Sequence, residues 1–214
     1  MSVVVSIGGV FAHAGNGSTW IVHAMRRKRE LGANEIELDG IGIATTRLNA
    51  RLLATGLDGV TDSPAADYED AAERLRTDGL AVLGGVAPAQ TTDAVAAALA
   101  EYVDADLLVY ATSVAGVYAV DPEDDPDAER YDTMTADELV SLVVEMEMDA
   151  GSSAPVDLLA AKIIDRAGMR AIVLDGTDPE AVLRAVEDGE FDGTEIGPGA
   201  ENQRSLAEYE GEGR

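Results

Sequence analysis

Residues 107–122 read Leu107-Leu108-Val109-Tyr110-Ala111-Thr112-Ser113-Val114-Ala115-Gly116-Val117-Tyr118-Ala119-Val120-Asp121-Pro122. Leu107 to Tyr110 is an apolar run in which every side chain is fit for burial, not every second one. A strand of that kind is covered on both faces, which is the habit of a parallel sheet flanked by helices. Three further runs share the pattern: Val3-Val4-Val5-Ser6-Ile7, Leu80 to Leu83 and Ala171 to Leu174. The first ends at Gly8-Gly9 and the second at Gly84-Gly85, so each predicted strand runs into a turn or loop.

Helical segments alternate with these strands. Ile43 to Leu53 carries apolar residues at helical spacing, and Asp67 to Arg76 is a more polar helix. Thr91-Thr92-Asp93 supplies short oxygen side chains suited to starting the helix Ala94 to Val103. Thr135-Ala136-Asp137-Glu138 is a capping box opening a helix to about Met146. A further helix is expected from about Val156 to Ala167, and Asp178-Pro179 provides an N-cap with proline at the first helical position. The alternation makes this an α/β protein.

Composition narrows the setting. The 214 residues include 41 acidic and 15 basic side chains, for a net charge of −26, and no cysteine. A length and hydrophobic fraction of this order suit one domain with a good-sized core, expected over 1–197, with a loose acidic tail at 198–214. Without cysteine there is no disulfide scaffold and no thiolate–zinc site. The negative surface repels nucleic acid and anionic membranes, so neither is an expected partner. No apolar run approaches the roughly 20 residues of a membrane helix, and no signal peptide is legible, so a cytoplasmic location is expected. Two lysines, Lys28 and Lys162, stand against 13 arginines, and acid is spread along the whole chain. This is the style of a host with molar internal salt, where the Debye length falls to about 3 Å and self-repulsion is screened.

Ligands of open parallel α/β sheets bind beyond the carboxyl ends of the strands. Three such places carry suggestive residues. At Gly8-Gly9 bare backbone could approach a phosphate, or simply turn. In Gly84-Gly85-Val86-Ala87-Pro88-Ala89-Gln90-Thr91-Thr92-Asp93 two threonine hydroxyls and a helix start could form an anion site. There the glycine pair would leave room for a ligand; the alternative is a capped helix in a tight turn. After this strand, a hydroxyl (Thr112), a glycine turn (Gly116), an aromatic ring (Tyr118) and the carboxylate of Asp121 lie within the ten residues 112–121. A nucleobase near the ring is one reading, and a turn with a packing tyrosine is the other. The acidic run Asp121 to Asp127 reads as a solvated loop.

Several chemistries are excluded. There is no G-x-x-x-x-G-K-[ST], no G-x-G-x-x-G opening a helix after a strand, and no G-x-S-x-G. His13 and His23 lie ten apart with no acidic ligand near them, so no metal site is expected.

Taken in order, these motifs resemble the archaeal branch of the uridylate (UMP) kinases, within the amino-acid kinase superfamily. The carrying residues are Asp39-Gly40-Ile41-Gly42-Ile43 with Thr46-Arg47-Leu48-Asn49-Ala50, then Gly84-Gly85 through Thr91-Thr92-Asp93-Ala94. Ala105 to Val109, Thr112, Gly116-Val117-Tyr118, Asp121-Pro122 and Ala154 to Lys162 complete the match, from Leu31 to about Thr194. The resemblance implies a three-layer αβα sandwich with a mostly parallel sheet, the amino-acid kinase fold. It implies ATP-dependent phosphorylation of UMP to UDP with Mg²⁺, by a homohexamer in pyrimidine nucleotide synthesis. It assigns Asp39 to the uridine moiety and Val86, Ala87, Pro88, Ala89, Gln90, Thr91 and Thr92 to UMP. ATP falls to Gly8, Gly9, Thr112, Tyr118 and Asp121. No catalytic residue is assigned. Two alternatives stand beside this reading, an impaired or non-catalytic nucleotide-binding paralogue and a kinase of the same superfamily for another small substrate.

Two departures accompany the resemblance. Many superfamily members carry a lysine two residues before the first Gly-Gly, and here that place is Ser6, a departure shared with the archaeal branch; Lys162 reads as a surface lysine. Gly9 and Leu31 are also separated by only 21 residues. That is too few for the helix, strand and second glycine loop of the family pattern, so the fold is expected to be lacking one N-terminal helix–strand unit. The same atypical segment, 10–30, holds both histidines, the only tryptophan and the basic run Arg26-Arg27-Lys28-Arg29. A deletion, a frameshift or a wrong gene model over 10–30 would account for both the shortness and the foreign composition.

Overall fold

The computed structural model describes residues 2–7, 25–59, 63–120, 122, 125, 127–148 and 156–197. The expectations attached to Gly8, Gly9, His13, His23, Asp121, most of 10–30 and the tail 198–214 lie outside them. The chain divides into two compact units, Met1–Ile7 with Ala96–Arg214, and Gly8–Val95.

The first unit is built on a five-stranded sheet in the order β1-β2-β4-β5-β3. Its strands are β1 (Val3–Ser6), β2 (Leu107–Thr112), β3 (Thr133–Thr135), β4 (Ala171–Asp175) and β5 (Gly193–Gly197). β1, β2 and β4 run parallel, with Ser6 beside Tyr110 and Thr112 beside Asp175. β5 is antiparallel to β4 and parallel to β3. The sheet is therefore mostly parallel, as the continuous apolar runs required. On one face Leu107, Val109, Ala111, Ile172 and Leu174 form a buried cluster with Ala185. Leu108, Tyr110 and Val173, which alternate with them, are buried as well. Both faces of β2 and β4 are thus out of water.

Helix boundaries in this unit follow local capping. Thr135 and Glu138 close the expected box: the Glu138 N–H donates to Thr135 Oγ1 at 3.1 Å and the Thr135 N–H to Glu138 Oε2 at 2.7 Å. The helix they open runs Ala136–Met148. The next, Leu158–Ala167, starts two residues later than the sequence suggests, because Asp157 is its N-cap, accepting from the Leu159 and Ala160 amides. It ends at Gly168, whose φ of 61° closes a left-handed cap. Pro179–Glu187 opens on Asp178 and Pro179 as expected.

The second unit contains α1 (Glu35–Thr55) and α2 (Tyr68–Asp78); the division between the units falls inside α3 (Thr92–Tyr102). With these named, the later helices are α4 (Ala136–Met148), α5 (Leu158–Ala167) and α6 (Pro179–Glu187). Residues 25–30 are helical, with Arg29 paired to Glu35 and Arg27 to Glu30.

Two expectations are corrected here. α1 begins at Glu35, not near Ile43, because Asn34 and Glu37 form a capping box with both bonds at 3.0 Å. Asp39-Gly40-Ile41-Gly42 is therefore helical, two glycines notwithstanding. The strand expected over Leu80 to Leu83 is reduced to one bridge, Leu83 with Ala65. Pairing stops because side chains take the neighbouring backbone groups. Ala66 N–H donates to Asp70, Ala66 C=O accepts from Arg47, and Ser63 C=O accepts from Arg74. Among the described residues, no helix is long and apolar enough to cross a membrane.

Candidate functional site

In the Gly8–Val95 unit, Asp39 sits half-buried on the second turn of α1 and Val86 to Gln90 form the loop that leads to α3. The two are joined directly: the Ala89 N–H donates to Asp39 Oδ2 at 2.8 Å. Ala89 has a φ of 62°, a left-handed conformation that a non-glycine residue holds only with local support. Gln90 is fixed from the other side, its Oε1 accepting from the Tyr68 hydroxyl at 3.2 Å. Burial pushes the Tyr68 phenol above its ordinary pKa of 10.0, so the hydroxyl keeps its proton and donates.

Thr91 is the N-cap of α3, with Oγ1 accepting from the Ala94 N–H at 3.0 Å. Thr92 opens the helix itself. Both threonines thus stand at the positive end of a helix, where backbone amides favour an anion.

Gly84 and Gly85 have a different role from the one the sequence suggests. A Cβ on Gly84 would lie 2.8 Å from the Arg47 N and Cα, and one on Gly85 would lie 2.9 Å from Thr46 Oγ1 and 3.2 Å from the Ile43 Cα. The Gly85 N–H donates to Thr46 Oγ1 at 2.8 Å. The glycine pair lets the loop lie on α1; it does not clear space for a ligand. On α2, Arg74 clasps Asp70 with two bonds of 2.9 Å, and the hydrogen bond holds the Asp70 carboxyl below its ordinary pKa of 3.8.

In the other unit, β1, β2 and β4 end side by side. Ser6 closes β1 and is 7% exposed, so the place where many superfamily members carry lysine is a buried hydroxyl. Thr112 closes β2; its Oγ1 accepts from the Val114 N–H at 3.0 Å, and its C=O accepts from Gly176. Asp175, beside Thr112, folds back on Thr177, accepting from its N–H and its hydroxyl at 2.9 and 2.7 Å. Beyond Thr112 the chain turns at Gly116, and Tyr118 pairs antiparallel with Arg130. Asp121 lies outside the described residues, as do Gly8 and Gly9. Lys162 is exposed on α5. Among the described residues no group of three or more histidine or acidic side chains could hold a metal.

Sequence reasoning missed Thr194 and Arg130. Thr194 is fully buried on β5 and accepts from the Val117 N–H at 2.8 Å while donating to the Tyr131 C=O. Arg130 donates to the Ala115 C=O at 3.2 Å and pairs with Asp192 at 2.6 Å. Nothing in residue type announces them, since β5 (Gly193–Gly197) lacks an apolar run.

Comparison with known proteins identifies the family and the fold. The pattern of the Amino acid kinase family matches residues 2–175. A uridylate kinase of Haloarcula marismortui is 66% identical over 173 residues, covering 80% of this chain and 76% of that protein. One of Halobacterium salinarum is 63% identical over 177 residues, covering 82% and 73%. Among solved structures, the uridylate kinase from Archaeoglobus fulgidus superposes with a TM-score of 0.79 at 36% identity, over 92% of this chain and 100% of that one. The mostly parallel sheet and its helices are those of the amino-acid kinase fold, and the chain belongs to the uridylate kinases of the amino acid kinase family.

Proposed function

We propose that this chain transfers the γ-phosphoryl group of ATP to UMP. An oxygen of the UMP phosphate attacks the γ-phosphorus, the bond to the β-bridging oxygen breaks, ADP leaves and UDP forms. The observation that carries the reading is the loop Val86–Thr92, fastened to Asp39 through Ala89 and ending at the start of α3. For the uridylate end we assign Asp39 to the uridine moiety, Val86 to Gln90 to the walls, and Thr91 and Thr92 with the α3 amides to the phosphate. For the ATP end we assign Thr112 and Tyr118, together with Asp121, Gly8 and Gly9. Phosphoryl transfer needs mainly positioning and charge stabilisation, which hydroxyls, glycine backbone and helix ends supply.

Magnesium fits this reading as an ion carried on the ATP phosphates, since such ions keep several waters and take few protein ligands. It would neutralise charge on the transferring phosphate. We further propose a homo-oligomer, with the hexamer as its form. The exposed apolar residues Leu48 (58%) and Leu52 (61%), one turn apart on α1, support this in so acidic a chain. A cytoplasmic, salt-adapted setting and a place in pyrimidine nucleotide synthesis complete the proposal; the charge of −26 and the haloarchaeal relatives support the salt adaptation. A substrate panel of UMP, CMP, aspartate and isopentenyl phosphate with ATP and Mg²⁺ in molar KCl tests the assignment. Preference for another acceptor overturns it.

A further inference from the structure

We infer that Thr194, seconded by Arg130, is a positioning residue for ATP: one buried hydroxyl sets the conformation of the segment that carries Tyr118. The inference rests on the assignment of Thr112 and Tyr118 to ATP made above. The segment after β2 and residues 129–131 form a short two-armed ribbon, joined where Tyr118 bridges Arg130 and the Tyr131 N–H donates to the Val117 C=O at 2.9 Å. The Thr194 hydroxyl reaches both arms. It accepts from Val117 at 2.8 Å on one and donates to the Tyr131 C=O on the other. That uses its single proton and a lone pair, and Thr194 is 0% exposed, so no water substitutes.

The surroundings leave the ribbon little freedom. Gly116 has a φ of 150°, and a Cβ there would lie 2.6 Å from both Thr194 Oγ1 and Arg130 Cδ. Arg130 bonds the Ala115 C=O at 3.2 Å and is itself held by Asp192 at 2.6 Å. Ala115 and Val117, on either side of Gly116, are thus held by side chains from the other arm of the ribbon and from β5. Valine has the same shape as threonine, and a hydroxyl is costly to bury unless it is bonded; both bonds of this one go to the ribbon. A hydroxyl at this point serves the ribbon, not the sheet.

The test compares Thr194→Val, Thr194→Ser and Arg130→Gln with the parent chain in molar KCl. Calorimetry gives the Kd for ATP, and steady-state kinetics gives KM for ATP and for UMP. Thr194→Val is expected to weaken ATP binding about tenfold, Arg130→Gln about threefold, and Thr194→Ser less than about twofold, with KM for UMP unmoved in all three. An unchanged ATP Kd in Thr194→Val, an equal loss for both substrates, or failure of serine to rescue overturns the inference. If Thr194→Val does not fold by circular dichroism, Arg130→Gln decides: weaker ATP binding supports the inference and unchanged binding overturns it. A parent chain that binds ATP without turnover contradicts the transfer reading alone, and the Kd series still decides on Thr194. A parent chain that does not bind ATP overturns both.

Discussion

The carboxylate of Asp39 accepts the backbone N–H of Ala89 at 2.8 Å, tying α1 to a loop 50 residues further along the chain. The bond supports a residue at a φ of 62° and so fixes the path of the loop up to Thr91. A hydrogen bond to a charged group contributes about 1.5–3 kcal/mol, so Asp39→Ala is expected to lower kcat/KM for UMP by about 10- to 100-fold, with KM for ATP nearly unchanged. Asp39→Asn keeps an oxygen acceptor for Ala89 and is expected to fall between the two. Kinetics with UMP and ATP varied separately check both; equal losses for the two substrates would contradict the assignment.

Gly84 lies against the α1 backbone at Arg47, and backbone cannot step aside as a side-chain tip can. Gly84→Ala is therefore expected to destabilise the protein by about 1–3 kcal/mol, the range of overpacking substitutions. Urea denaturation at constant KCl measures it. A variant as stable as the parent would show that the loop and helix are not in contact as described.

Gly40 presents the opposite case. It is exposed within α1, and a Cβ there would meet nothing within 4 Å. Glycine inside a helix costs about 1 kcal/mol relative to alanine, so Gly40→Ala is expected to raise Tm. A lower Tm would mean that this part of α1 is not helical in solution.

Acid should loosen the molecule through specific carboxylates. Asp70 is held below 3.8 chiefly by its bond from Arg74, Asp106 below 3.8 by the Ser2 amide, and Glu138 below 4.5 by the Thr135 amide. A carboxyl with a depressed folded pKa contributes stability that is complete above its unfolded value and lost as pH falls through the folded one. The loss is therefore confined to the region below 4.5 for Glu138 and below 3.8 for the two aspartates. Denaturation midpoints measured from about pH 5 to about pH 3 should fall, and less steeply in Asp70→Asn, which is weaker at neutral pH but has lost one titrating group. A parallel fall in parent and variant would sink the account.

The legible parts of this fold were those that speak through local chemistry. Leu107 to Tyr110 and Ala171 to Leu174 announce buried parallel strands because every side chain is apolar. Thr91, Thr135 and Asp178-Pro179 announce helix starts because a cap needs only its own neighbours. Gly40 and Gly42 hid the first two turns of α1, although Asn34 and Glu37 spelled out the box that starts them. β3 and β5 stayed hidden because Thr133-Met134-Thr135 and Gly193 to Gly197 gain their strand character from pairing partners, not from composition. At the site the motif residues were readable as a set, yet their supports were not. Thr46 under Gly85, Asp39 under Ala89 and Thr194 under Val117 are long-range bonds, and one sequence carries no mark of which distant residue will make them.

Phosphoryl transfer to UMP is read directly from the products. The full chain, in about 2–3 M KCl to screen its net charge of −26, is incubated with UMP, ATP and Mg²⁺, and UDP and ADP are separated by chromatography. UDP and ADP are expected to appear in equal amounts, at a rate proportional to enzyme and abolished when UMP is left out. ADP without UDP, or neither product from a chain that circular dichroism shows to be folded, would contradict it.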